Sequence, residues 1–158
     1  MDAYIVAGFR TGVGKAKKGG FRFVRPDGLA TDVIKHLVKA IPGLDGKLVD
    51  DLIVGNAVPE AEQGMQMGRI IALMALGIDT PGLVINRYCG SGVEAIAMAS
   101  HRIHAGQADC IIAGGLADRF RHGDGDRSAA AAASRRRAAV AVHGHARRPA
   151  VGIHNANP

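Results

Sequence analysis

Short apolar runs and helix-like patterns alternate along the first 116 residues of the chain. Apolar runs rich in β-branched residues predict strands at 3–9, 51–58, 82–88 and 108–115. Between them, apolar side chains recur at three- and four-residue spacing and predict helices around 29–40, 65–77 and 92–106. Strands that alternate with helices in this way are typical of βαβ units. We therefore predict an α/β fold of βαβαβαβ order with a mainly parallel sheet, covered on both faces.

Glycine and proline mark where the helix patterns stop. Pro42 and Gly43 end the first helix, and Gly77 and Gly106 end the second and third. The third helix is expected to carry one stripe on a single face, made of Val93, Ile96, Ala97, Ser100 and Ile103.

The composition changes after Gly115, and two regions are predicted: 1–116, an α/β domain, and 117–158, a low-complexity tail. Residues 118–158 contain no lysine, 8 arginines and 11 alanines, with a possible short helix only around 129–142. We expect this tail to be unstructured, because it has little apolar surface to offset the entropy of ordering. It is interpreted either as a natural Arg/Ala-rich segment that binds nucleic acid or as the product of a frameshift.

The charge distribution bears on whether the protein binds nucleic acid. The net charge is +6, but residues 1–117 carry only +1 of it, so the basic character belongs to the tail. There is no apolar stretch of membrane-spanning length and no pattern of a secretory signal. Two cysteines, Cys89 and Cys110, do not form a disulfide framework. We expect a cytoplasmic protein.

Cys89 stands where the third strand is predicted to turn into the third helix. A helix N-terminus presents unpaired N–H groups and the positive end of the helix dipole, which favour an anion such as a thiolate. Gly90 and Gly92 would let backbone and substrate approach closely. The alternative interpretation is a small buried side chain. That alternative is preferred for Cys110, which lies inside an apolar strand, whereas Cys89 is the candidate nucleophile.

The segment NRYCGSGVEAIAMASHRIHAGQADCIIAGG resembles the nucleophile segment of the thiolase family, with its cysteine, Ser/Gly-rich turn and alanine-rich helix. YIVAGFRTGVGKAKKGGFR is similar to that family's opening strand and loop. DDLIVGNAVPEAEQGMQMGRIIAL is similar to its second strand and the helix that follows. The resemblance covers roughly residues 3–115 in one register and ends where the composition changes.

The resemblance implies a thiolase-like N-terminal half-domain and an acyltransferase, which catalyses thiolysis of 3-ketoacyl-CoA or condensation of acetyl-CoA in fatty acid metabolism and β-oxidation. Cys89 would carry the acyl group as a thioester. Coenzyme A thioesters would be substrates, with no cofactor and no metal, and a full-length member would be a homo-oligomer, a dimer or tetramer. Coenzyme-binding residues stay unassigned.

The family's other catalytic motifs are not found. These are an activating histidine in Gly-His-Pro, a second cysteine in Cys-x-Gly and an Asn-Glu-Ala-Phe-type segment for the oxyanion. The Gly-His pair within 143–152 lacks its proline and is taken as a chance match. We therefore expect an inactive fragment. Without a second half, several side chains are expected to lack cover, namely Val93, Ile96, Ile103, Ile111 and Ile112.

Other interpretations stay open. A ketoacyl-synthase-like or hydroxymethylglutaryl-CoA-synthase-like condensing enzyme also places a cysteine at a helix start. A non-catalytic module with a basic nucleic-acid-binding tail is a candidate of another class. The Gly/Lys loop at 8–18 does not match a P-loop or a dinucleotide fingerprint. His101 and His104 share a helix face but have no third ligand nearby, so we do not predict a metal site.

Overall fold

Five strands and three α-helices are found in the part of the chain that the computed structural model describes, residues 2–14, 19–116 and 138–144. The strands are β1 (Ala3–Arg10), β2 (Asp51–Asn56), β3 (Gly82–Ile85), β4 (Cys110–Leu116) and β5 (Ala138–Gly144). The helices are α1 (Pro26–Ala40), α2 (Met67–Ala75) and α3 (Ser91–His104). Every element predicted within the first 116 residues is present, and its ends differ from the prediction by only a few residues.

The strands form one sheet in the order β1-β5-β4-β2-β3. β2 lies at the centre of a parallel set, with β3 on one side and β4 on the other. β5 runs antiparallel to both β4 and β1, so the four strands β1 to β4 share one direction. The predicted α/β class with a mainly parallel sheet is therefore confirmed.

β5 lies within the predicted tail and corrects the expectation there. The sequence predicts a possible short helix around 129–142 and otherwise no structure, whereas residues 138–144 form a strand between β1 and β4. The physical reason is that Val140 and Val142 alternate with alanine, which suits a strand, and two neighbouring strands offer it backbone hydrogen bonds. The rest of the tail, 117–137 and 145–158, lies outside the described residues.

Helices cover both faces of the sheet, as predicted. Successive residues of a strand point to opposite faces, so Leu52 and Ile112 face α1 and α2, whereas Ile53 and Ile111 face α3. Each of these four side chains is almost completely buried, and burial of one such side chain contributes about 1.5–3 kcal/mol. The central strands therefore hold two helix layers together, one on each side.

α3 rests on the sheet through a different stripe from the predicted one. Its buried residues are Ser91, Ala95, Ala99 and Ile103, while Val93 is 75% exposed and Ala97 and Ser100 are half-buried. Only Ile103 belongs to both stripes. The small side chains let the helix lie close to the strands, and Ile96 packs beside them against the same core cluster. A hydrophobic pattern alone cannot indicate that preference.

The expectation of uncovered apolar side chains is corrected at three of its five positions. Ile103, Ile111 and Ile112 are each 0% exposed, since this chain's own helices cover both sides of β4. Ile96 is half-buried, and Val93 is the one that is largely exposed.

The predicted stops after α2 and α3 are confirmed. Gly77 and Gly106 have φ values of +112° and +71°, which glycine adopts without a Cβ clash. No helix in the described ranges combines the length and the apolar character that a membrane crossing requires.

Candidate active site

The carboxyl ends of the three parallel strands meet at one edge of the sheet, and Cys89 lies in the turn that follows β3. Gly55 near the end of β2 pairs with Ile85 of β3 on one side and with Gly115 of β4 on the other. In open α/β sheets, ligands bind at this edge. The fold therefore places the candidate nucleophile where such proteins place their chemistry.

A single 3-10 turn, Tyr88–Gly90, presents Cys89 and leads directly into α3. The Cys89 side chain is exposed. Gly90 is the N-cap residue of α3, and no side chain caps the helix. α3 is 14 residues long and begins two residues after Cys89, so the positive end of its dipole lies at this turn; the Ser91 N–H donates to the Tyr88 carbonyl. The turn thus lies at the strand-to-helix junction where the sequence places Cys89.

A network of short hydrogen bonds holds the turn. The Ser91 hydroxyl donates to the Tyr88 carbonyl over 2.6 Å and accepts from the Arg87 N–H over 2.8 Å. The Asn86 side-chain oxygen accepts from the Tyr88 N–H over 2.9 Å. Tyr88 has a φ of +45°, an uncommon value for a residue with a side chain. Sequence reasoning missed Asn86 and Ser91, although serine and asparagine beside a glycine turn are a usual signal of such bonds.

Glycines let α3 approach the sheet under this turn. A Cβ at Gly55 would lie 2.4 Å from the Ser91 carbonyl carbon, which is closer than atoms can approach. Gly92 and Gly115 face each other, and a Cβ on Gly92 would lie 3.3 Å from the Gly115 Cα. Gly92 was predicted to allow close approach, and here its neighbour is β4. Gly55 and Gly115 were missed, although a glycine inside a strand often marks such a contact.

Two asparagines form hydrogen bonds within and between the loops that follow β2 and β3. Asn56 is buried; its amide donates to the Gln63 carbonyl over 2.9 Å, and its oxygen accepts from the Val58 N–H. Asn86 donates to the Ala57 carbonyl over 3.2 Å and so links the β3 loop to the β2 loop. Asn86 therefore links the backbone beside the Cys89 turn to the loop after β2, and the Asn56 bonds hold that loop itself.

Cys110 lies at the opposite end of the sheet, buried at the start of β4. Burial, with a smaller contribution from the negative charges of Asp50 and Asp109, raises the pKa of its thiol to about 11. The Asp50 carboxylate accepts from the Cys110 N–H over 2.9 Å and the Asp109 N–H over 2.7 Å. Cys110 is thus held as a neutral thiol at neutral pH, in a setting that does not suit a nucleophile.

Among the residues that the structure describes, the remaining candidate groups are not brought to Cys89. His101 and His104 are in the last turn of α3, at the far end of the helix. Nowhere in residues 2–14, 19–116 or 138–144 do three or more metal-ligating side chains converge on one site. His143 lies in β5. The other histidines of the tail and the lysines at 15–18 lie outside the described residues.

The sequence of this chain is similar to sequences of the thiolase family. The family model of the thiolase N-terminal domain matches residues 3–149, beyond position 115 where the resemblance was expected to end, and so includes β5. A 3-ketoacyl-CoA thiolase of Bacillus subtilis (strain 168) is 50% identical over 115 residues, which are 72% of this chain and 29% of that protein. A beta-ketoadipyl-CoA thiolase of Acinetobacter baylyi is 42% identical over 120 residues, 75% of this chain and 30% of that protein.

A solved structure gives the same result for the fold. The crystal structure of the Bacillus anthracis acetyl-CoA acetyltransferase matches with a TM-score of 0.66 and 27% sequence identity, over 85% of this chain and 35% of that one. The chain spans about a third or less of the length of these proteins.

Proposed function

Because the chain belongs to the thiolase family through its N-terminal domain, we propose that Cys89 accepts an acyl group from a coenzyme A thioester. One observation carries this proposal. The exposed Cys89 thiol lies at the uncapped start of α3, above the carboxyl ends of three parallel strands. Its position combines access for a substrate with a positive local field, the two conditions that a thiolate nucleophile needs.

The proposed step is a thioester exchange. The Cys89 sulfur attacks the carbonyl carbon of the acyl thioester and forms a new C–S bond. The bond to the coenzyme A sulfur breaks, and the coenzyme leaves as a thiolate that takes up the proton released by Cys89. The positive end of the α3 dipole favours negative charge beside Cys89. One thioester is exchanged for another, so no oxidant or reductant is required.

We propose that the described residues complete acyl transfer but not turnover. Repeated turnover needs a base to regenerate the thiolate and an acid/base for the incoming group. The described histidines do not meet this need. His101 and His104 are at the far end of α3, and His36 packs against Phe9 on the sheet face that α1 covers. His143 pairs in the sheet with Cys110, at the end remote from Cys89. The expected consequence is negligible thiolysis of acetoacetyl-CoA by this 158-residue chain.

For a full-length protein that contains this domain, we propose thiolysis of 3-ketoacyl-CoA or the reverse condensation, with β-oxidation as the metabolic setting. The names of the two thiolase relatives support this substrate class. We also propose that such a protein is a homo-oligomer, and that acyl-CoA is its small-molecule partner.

The test is covalent loading of the purified chain with acetyl-CoA. We expect intact mass spectrometry to find one acetyl group per chain, and peptide mapping to place it on Cys89 as a hydroxylamine-sensitive thioester. Cys110→Ala is the matched control and should load normally, whereas Cys89→Ala should not load. Acetyl transfer to Cys110, or no transfer to a folded chain, would refute the proposal.

A second assay tests the limit on turnover. Loss of acetoacetyl-CoA absorbance on addition of coenzyme A should stay at the background rate, with and without Cys89. Turnover that disappears in Cys89→Ala would show that this chain supplies its own base.

A further inference from the structure

The turn that presents Cys89 contains a strained residue. Tyr88 has a φ of +45°, in the left-handed region that residues with a side chain rarely adopt. Its side chain is 77% exposed, so no packing of the ring holds the backbone in this conformation. Such a conformation persists only where its surroundings impose it. Hydrogen bonds must therefore hold the turn.

The Ser91 hydroxyl makes two of these bonds, one on each side of the strained residue. It donates to the carbonyl of Tyr88 and accepts from the N–H of Arg87. Both bonds are short, 2.6 Å and 2.8 Å, and Ser91 is only 3% exposed. Serine at a helix start usually caps the N–H groups ahead of it. Here the hydroxyl bonds backwards, and α3 is left without a side-chain cap.

The backbone of Ser91 is itself fixed to the sheet. Its carbonyl group lies over Gly55 of β2, so closely that a Cβ there would overlap it. The hydroxyl therefore links a rigid point of the fold to the strained turn, and Cys89 lies between the two linked residues, Tyr88 and Ser91.

We propose that Ser91 is a positioning residue for Cys89. Its hydroxyl holds Tyr88 in the left-handed conformation, and this conformation keeps the Cys89 thiol exposed at the start of α3. The inference rests on the proposed function for its consequence, since a displaced thiol would accept an acyl group slowly. Without the hydroxyl, the Arg87 N–H loses its acceptor and the turn relaxes to an unstrained conformation.

The test measures the second-order rate of Cys89 modification by iodoacetamide, together with the melting temperature of each variant. Ser91→Ala should slow modification about tenfold, because a buried hydroxyl with two partners is lost. Ser91→Thr keeps the hydroxyl and should restore the rate. Tyr88→Gly in the Ser91→Ala background should also restore it, because glycine adopts a positive φ without strain. Ser100→Ala, a half-buried serine of the same helix, is the matched control and should not change the rate.

The proposal is supported if Cys89 is modified slowly in Ser91→Ala and if either Ser91→Thr or the added Tyr88→Gly restores the rate. General destabilisation of the fold would not be repaired by a glycine in the turn. An unchanged rate in Ser91→Ala, or a slow rate that neither change restores, overturns it. If Ser91→Ala does not fold, the double variant Tyr88→Gly/Ser91→Ala decides alone. A normal rate of Cys89 modification in it supports the proposal, and a slow rate overturns the proposal. Acetyl-CoA loading of the unmodified protein is read separately, so its failure refutes the proposed function and leaves the iodoacetamide result standing.

Discussion

The two ends of α3 differ in what their polar groups do. At the N-terminal end, the Arg87–Glu94 ion pair is exposed, the backbone is strained at Tyr88, and the thiol of Cys89 faces solvent. At the C-terminal end, Arg102 pairs with the buried carboxylate of Asp51. There the Asp50 carboxylate caps the start of β4, where the Cys110 thiol is buried.

The two cysteines therefore lie in different settings, Cys89 exposed and Cys110 buried. At the C-terminal end, Arg102 bonds to the Asp51 carboxylate, and the Asp50 carboxylate accepts a hydrogen bond from the backbone of β4. At the N-terminal end, no side chain caps the helix, and the Cys89 thiol beside it is exposed. The same helix is thus a structural support at one end and a candidate reaction site at the other.

The largest expected effect is on thiol reactivity. Iodoacetamide at pH 7.5 should modify Cys89 at least about 100 times faster than Cys110, because a thiol with a pKa of about 11 has only roughly three thiolates per ten thousand molecules at that pH. Peptide mapping over time gives both rates in one sample. Faster modification of Cys110 would reverse the assignment, and unfolding in guanidinium should remove the difference.

The close approach of α3 to the sheet is tested by adding a single methyl group. Gly55→Ala should lower the free energy of unfolding by about 3 kcal/mol, because its Cβ would overlap the backbone of Ser91. Gly28→Ala in α1 is the matched control; nothing lies within 4 Å of its Cβ, and it should stabilise by about 0.5 kcal/mol. Chemical denaturation measures both. Equal effects of the two variants would contradict the packing described.

Stability at high pH should report the buried thiol. Burial raises the pKa of Cys110 to about 11, so the folded state holds its proton more tightly than the unfolded state. The stabilisation is complete below about pH 9 and is lost as the pH rises towards 11, by about 2 kcal/mol. Cys110→Val should remove this part of the pH dependence. If both proteins lose stability in parallel between pH 9 and 11, the effect does not come from Cys110.

The smallest expected effect is the difference in stability that the two ion pairs contribute. Arg102→Met should lower the free energy of unfolding by about 1–2 kcal/mol, since it leaves the buried Asp51 carboxylate without its partner. Arg87→Met should cost under about 0.5 kcal/mol, because the Arg87 side chain is 70% exposed. Thermal melts of the two variants side by side suffice. A larger loss in Arg87→Met would contradict the contrast between the helix ends.

The sequence predicts the order of elements well, because hydrophobic periodicity and glycine stops are local signals. Gly77 and Gly106 end their helices as expected. The orientation of α3 was not predictable from the same pattern, because the contact of Ala95 and Ala99 with the sheet depends on close approach and not on side-chain size. β5 was missed for a related reason. Its Ala/Val alternation is weak by itself and becomes a strand only between two partners.

The site was predicted only in part. The position of Cys89 followed from the strand-to-helix junction, and its role stays a prediction. The hydrogen bonds of Ser91 and Asn86 accompany a positive φ at Tyr88, and a tyrosine gives no sequence signal for that conformation. The close contact of α3 with Gly55 and Gly115 joins residues far apart in the chain, so it is seen only in the assembled sheet.

The place of β1 in the sheet has a consequence for the order of folding. Among the described strands, β1 pairs only with β5, in a register that joins Ala3 to Gly144. Pairing between such distant residues is slow, because a long loop must close before any hydrogen bond forms. During synthesis, β2, β3 and β4 with their helices are complete before residue 138 has been made. Of the described strands, β1 is therefore made first and joins the sheet last, and until then its backbone N–H and C=O groups have no strand partner.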